Sequence, residues 1–245
     1  MVLDKAFKKV VVATLWFFVG GACWAGQFES LPDFSITPIR DRPLYEKNLS
    51  TRDNWPCKST LKKLVLVKFQ YWGFDDQIHS GSLIVHEELG PEVLAIFKEL
   101  LMMRFPIQAM HPIPKSLHKT AKIYQSVTGG FHCRAVTDQP GILSQHSYGR
   151  AIDLNPMMNP YLKGCLIIPA AAKQHANRLI PEKGKIIPNS AVITVFAKHG
   201  WDWGGYWFDA KDYQHFEKRA HGEKRNPYGY ITSHYRYSIA ENYCG

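Results

Sequence analysis

No HExxH pair, no CxxC pair and no GxSxG elbow occurs in the 245 residues. The first absence excludes the helical zinc-peptidase signature, since His86-Glu87-Glu88 starts such a motif but Gly90 stands where its second His belongs. The second excludes a paired-thiolate zinc site, and the third excludes the usual serine-hydrolase nucleophile. Internal repeats and low-complexity tracts are also missing, which excludes a repeat array. No nucleic-acid module is recognisable, so a DNA or RNA binder would rest on charge alone. Acidic residues are in deficit, 21 against 30 Lys and Arg, for a formal charge of +9.

Hydrophobic residues at 45% and charged residues at 21% argue for a globular chain, long enough for one well-cored domain. Lys5, Lys8 and Lys9 followed by the apolar run Val10 to Val19, with Cys23 and Ala25 beyond it, read as a signal peptide over 1–25. That run is short of the roughly 20 residues a spanning helix needs, which disfavours an uncleaved anchor. Gly20 weakens a lipoprotein reading of Cys23. The leader implies export to the periplasm or the exterior, with membrane contact only in transit. Its three Lys against Asp4 give it a net charge of +2, so +7 remains on the mature chain, suited to anionic partners such as cell-wall polymers. Cys57, Cys133, Cys165 and Cys244 then form an even set. They fit two disulfides of undetermined connectivity, or four small buried hydrophobes. A Cys57–Cys244 bridge joining the two ends is one of the pairings. Nothing in the sequence sets an oligomeric state.

Residues 26–63 show no clear period and read as an irregular N-terminal arm. Alternation of Val65, Val67, Phe69 and Tyr71 predicts a strand, with a turn at 73–76 and a partner strand at 82–86. Pro91 starts a helix whose inner face is Val93, Ile96, Phe97, Leu100 and Leu101, ended by Phe105-Pro106-Ile107. From Ser126 to Pro160 the chain reads as loops around one short strand at 151–154. Ser190 is predicted to cap a second helix that stops at Gly200, with Val192, Val195 and Phe196 facing inward. Tyr213 to Lys218 reads as a strand. The expected class is α+β, a central antiparallel sheet with flanking helices, with the domain proper at 64–220 and a tail at 221–245.

Two segments carry chemistry, Ser144 to Asp153 and Asp212 to Glu217. Together they hold two His and two Asp, the donor types of a catalytic zinc, which takes three protein ligands and leaves a position open. His146 and Asp153 are seven apart, so they converge only if the chain bends, and Gly149 offers the bend. Asp212 and His215 are three apart, which places Asp212 just before the strand that carries His215. Either segment alone also fits a hydrogen-bonding loop His and a capping Asp.

Ser-x-His-x-x-Gly-x-Ala-x-Asp at 144–153, followed by Asp-x-x-His at 212–215, resembles the D-alanyl-D-alanine carboxypeptidase and L-alanyl-D-glutamate endopeptidase family of zinc peptidases, within the lysostaphin and hedgehog-like superfamily. Phe131-His132-Cys133-Arg134, Asn155-Pro156, Asn159-Pro160-Tyr161 and Gly200-Trp201-Asp202-Trp203-Gly204-Gly205 resemble its endopeptidase branch, over roughly Leu64 to Lys218. The resemblance implies the hedgehog-like zinc fold, with Zn²⁺ on His146, Asp153 and His215. It implies Asp212 as general base and Arg134 as the donor to the oxyanion, or else as a structural ion pair. The implied substrates are peptidoglycan stem peptides, cut at the L-Ala–D-Glu bond. D-Ala–D-Ala carboxypeptidase activity and a non-hydrolytic zinc-bearing wall-binding module are the alternatives. The loop 201–207 reads either as a substrate wall or as core.

Overall fold

The computed structural model describes residues 34–41, 57–112, 126–137 and 139–225. The leader at 1–25 and most of the tail lie outside the described residues. Among the described residues, no helix is long and apolar enough to cross a membrane.

Alternation builds the largest sheet. Strand β1 (Ser35–Pro38) and strand β3 (Ile78–His86) flank β2 (Leu64–Gly73), both antiparallel, with Val67 opposite Leu83 and Lys68 opposite Ser82. A short parallel pairing adds β4 (Pro106–Ile107) to the end of β2. The arm is therefore not wholly irregular, since Ser35–Pro38 completes this sheet and Lys58–Leu61 forms one helical turn. Four residues ending in proline carry too little alternation to announce a strand; β2 supplies the partner groups that make it one.

The rest of the β structure is divided among small sheets rather than gathered into one central sheet. Strands β5 (Ala109–Met110) and β6 (Val127–Thr128) pair in parallel. Strands β7 (Ala135–Val136) and β8 (Gln139–Leu143) form a hairpin. Three antiparallel strands, β9 (Ala151–Asp153), β12 (Asp202–Trp203) and β14 (His215–Glu217), lie in the order β12-β14-β9. The last sheet joins β10 (Tyr161–Lys163), β11 (Leu166–Ile168) and β13 (Lys211–Asp212) in the order β11-β10-β13. The segment 126–160 thus holds several short strands instead of one, because its turn-rich composition permits pairs of two or three residues that no periodicity reveals.

The helix Gly90–Met102 buries the five apolar residues its spacing selects, with Pro91 in its first turn. The helix Ala191–Lys198 follows Ser190 as expected, but the serine does not cap it: its Oγ is buried and makes no hydrogen bond. Aromatic packing connects the large sheet to the small one. Phe69 stacks on Phe97 at 4.4 Å, Phe97 meets Phe196 edge-on at 6.5 Å, and Phe196 stacks on Phe216 at 3.8 Å. Phe216 lies at the centre of β14, so this chain of rings fixes the face of β14 that turns inward. By strand alternation, His215 and Glu217 occupy the opposite face.

A second cluster, including Ile39, Leu64, Leu66, Ile84 and Phe131, packs around Cys57 and Cys133. These two cysteines are joined in a disulfide, which overturns a Cys57–Cys244 pairing. Cys165 is disulfide-bonded as well.

Candidate active site

The segment 144–150 is a local device for presenting His146. Ser144 precedes a 3-10 turn (Gln145–Tyr148), and its Oγ accepts from the His146 N–H at 3.3 Å. Gly149 then takes a left-handed conformation, φ +68, and returns the chain as β9 toward Asp153. A Cβ on Gly149 would lie 2.6 Å from the His86 nitrogen and 2.9 Å from the Val85 carbonyl carbon, so close backbone approach also requires glycine here. Ser147 ties this turn to Arg134, its Oγ accepting from the Arg134 N–H at 2.9 Å and donating to the Arg134 carbonyl at 2.7 Å.

Across β14 and β9, His215 pairs in register with Asp153. The strand is shorter than expected. Asp212 ends β13, opposite Tyr161 of β10, and the chain bends at Tyr213–Gln214 before β14 starts at His215. Gly204 packs beneath that bend: an added Cβ would meet the Asp212 carbonyl oxygen at 2.7 Å, the Asp212 Cβ at 2.8 Å and the His215 Cβ at 3.3 Å.

His146, Asp153 and His215 form a group that could hold a metal ion. His146 Nε2, His215 Nδ1 and Asp153 Oδ1 are mutually separated by 3.1 Å. This matches one face of a tetrahedron around an ion with bonds of about 2.0–2.1 Å, whose edge is about 3.3 Å. Hydrogen bonding fixes which atoms point inward. His146 Nδ1 lies 2.7 Å from the Gly130 carbonyl, which can only accept, so the neutral ring turns its Nε2 lone pair inward. His215 Nε2 lies 3.0 Å from Glu217 Oε2, so its Nδ1 lone pair likewise faces the centre. Two imidazole lone pairs and a carboxylate oxygen at this distance repel one another unless positive charge lies among them. The donor set therefore fits a zinc ion.

The titration behaviour expresses the same demand. Burial works to lower His215, yet hydrogen bonds to Asp153 and Glu217 push it up to about 10, so without a metal a second proton supplies the cation. Burial would raise Asp153, but the two imidazoles hold it well below the usual carboxylate range. Burial holds His146 below the usual imidazole value, which keeps its lone pair available.

Glu217 is the site residue that sequence reasoning did not assign. It is almost wholly buried and accepts from both His215 Nε2 and Arg219 Nε, the latter at 2.6 Å. Burial would raise its carboxyl, but His215 and Arg219 bring it to about 2. Its signal was the His-x-Glu spacing, which places both side chains on one strand face once β14 is known to start at His215.

Asp212, Arg134 and His215 line one cleft of about 420 Å³. Asp212 Oδ1 is buried with no hydrogen-bond partner, and burial pushes its carboxyl up to about 7. A carboxylate with an open acceptor and a pKa near neutrality is equipped to take a proton. Arg134 is one-third exposed, and its Nη2 stands 3.9 Å from Asp153 Oδ2. That contact is too long for a strong pair, and it leaves the guanidinium available to the cleft. The aromatic loop splits between its two readings. Trp201 and Trp203 are buried in the core, whereas Trp207 lines the cleft, its indole 5.1 Å from the His215 ring.

Residues 137–218 match the family model described as D-alanyl-D-alanine carboxypeptidase. No curated protein and no solved structure matches the chain. The matched stretch contains His146, Asp153, Asp212, His215 and Glu217 and begins after Arg134. Over residues 137–218 the chain is thus similar to the D-alanyl-D-alanine carboxypeptidase family of peptidases.

Proposed function

We propose that this protein is a zinc peptidase that hydrolyses the stem peptides of peptidoglycan at the L-Ala–D-Glu bond. One observation carries the reading: three lone-pair donors converge at 3.1 Å, and one of them, His215, lines the cleft together with Asp212, whose Oδ1 is unpartnered. His146, Asp153 and His215 would hold the ion. When bound, zinc supplies Lewis-acid polarisation of the scissile carbonyl and makes water more acidic near neutral pH.

The chain's own groups do the remaining work. Asp212 Oδ1 accepts the proton of the attacking water and returns it to the leaving amine. Water adds to the peptide carbonyl, and the C–N bond breaks as that amine is protonated. Arg134 donates to the carbonyl oxygen as negative charge builds there, a contribution whose removal typically costs about 10²–10³ in rate. Glu217, locked by Arg219, holds His215 in the tautomer that keeps its Nδ1 lone pair inward.

The description of the matched family favours a second reading on the same site, removal of the terminal D-Ala. The endopeptidase reading rests on the resemblance of the 131–134, 155–161 and 200–205 segments. Mass spectrometry of muropeptides after digestion separates them. Release of free stem peptides, with L-Ala left on the glycan, supports the endopeptidase. Loss of a single D-Ala supports the carboxypeptidase. Action in the periplasm or outside the cell follows from the leader reading, and fractionation of the native host checks it.

A further inference from the structure

The cleft beside the metal donors is lined by Arg134, Lys163, Arg219 and Arg225 against Asp209, Asp212 and Glu217. Two of these cations already have roles: Arg219 holds Glu217, and Arg134 is the donor proposed for the carbonyl oxygen. Arg225 is arranged differently. Its guanidinium lies over the Trp207 ring with Cζ 3.6 Å from the centroid, and Nη2 donates to Asp209 Oδ2 at 2.8 Å. Stacking and one ion pair hold the group flat, and its side chain remains about one-quarter exposed. One donor of five is spent on Asp209, leaving others in the guanidinium plane, the geometry that binds a carboxylate through two parallel hydrogen bonds.

Trp207 supplies an independent observation. It is 5% exposed, lines the same cleft, and its Nε1 is buried with no hydrogen-bond partner. A buried N–H donor without an acceptor costs about 1–3 kcal/mol, a penalty that a bound acceptor removes. One indole therefore brings an open donor and a stacked cation to a wall that also touches His215. An extended peptide advances about 3.4 Å per residue, so Arg225 lies within about three residues of a carbonyl held at the metal donors.

We infer that Arg225, stacked on Trp207 and held by Asp209, binds a carboxylate of the substrate and selects acidic peptides. The inference rests on the peptidase reading and deepens it: the substrate carries a free carboxylate next to, or within about three residues of, the bond that is cut. In an L-Ala–γ-D-Glu peptide, the D-Glu α-carboxylate is such a group.

The test compares the zinc-loaded full chain with Arg225→Ala and Trp207→Phe, using a synthetic L-Ala–γ-D-Glu–L-Lys peptide and its α-amidated form. Affinity is read by calorimetry and cleavage by mass spectrometry. The wild type is expected to bind the acidic form about 10–100-fold more tightly than the amide. Arg225→Ala removes that preference with zinc content unchanged, and Trp207→Phe reduces it while keeping the stacked ring. Equal binding of both forms by the wild type overturns the inference, as does equal weakening of both by Arg225→Ala. Preference without cleavage keeps the carboxylate site and removes the hydrolase reading; cleavage without preference does the reverse.

Discussion

His215 faces Asp153 directly across the β14–β9 pair, its Nδ1 3.1 Å from Asp153 Oδ1. Strand register thus brings together two of the three side chains that could hold a metal ion, 62 positions apart in the chain. The third, His146, comes from a turn outside the sheet, so the site depends on the sheet for two donors and on Gly149 for the other.

On the proposed zinc reading, Glu217 acts on the metal through His215. Glu217→Gln keeps an acceptor for His215 Nε2 but loses the charge, and zinc affinity is expected to fall about tenfold; Glu217→Ala takes it toward 100-fold. Chelator competition on the purified variants measures both. Equal affinity in all three proteins contradicts the assignment.

Gly204 sets the spacing of Asp212 and His215. Gly204→Ala places a methyl group within 2.8 Å of the Asp212 Cβ, so the bend must open. Peptidase turnover should fall at least about tenfold, since small misplacement of reacting groups is costly. Steady-state kinetics beside circular dichroism checks that activity falls further than folding.

On the proposed reading, zinc and protons compete for the same place. In the metal-free protein His215 is raised from about 6.5 to about 10. Its contribution to stability is therefore fully present below pH 6.5 and lost as pH rises through 10. The metal-free Tm should decline across that window, while the zinc-loaded protein should not show the decline. Zinc binding near pH 8 should release a proton, visible as a buffer-dependent heat in calorimetry.

The Cys57–Cys133 bridge closes a long loop, with a sequence separation of 76. On the loop-entropy account, its removal costs about 4.5 kcal/mol. Cys133 adjoins Arg134, so Cys57→Ser with Cys133→Ser should lower both Tm and turnover. Thermal melts with and without reductant, alongside that double variant, measure the effect.

The sequence was most legible where one period persisted. Alternation from Val65 to Tyr71 and the spacing from Val93 to Leu101 marked the β2–β3 pair and the long helix, because each has enough residues to show which face is buried. The three side chains that converge, His146, Asp153 and His215, were legible as motifs, and Gly149 as the bend between the first two. The rest depends on partners distant in sequence. Ser35–Pro38 is a strand only because β2 lies beside it, and Cys57 finds Cys133 only through the packing of Ile39, Leu66, Ile84 and Phe131. Ser190 has capping chemistry, but its hydroxyl makes no capping bond. Glu217 was hidden because its role depends on the strand starting at His215, two residues later than Tyr213.

Zinc content and peptidoglycan digestion, measured together on wild type and Asp212→Asn, test the central claim most directly. The account predicts about one zinc in each protein, muropeptide release by the wild type, and loss of that release in Asp212→Asn. A wild type that holds no zinc, or an Asp212→Asn protein that digests the wall as fast as the wild type, would contradict it.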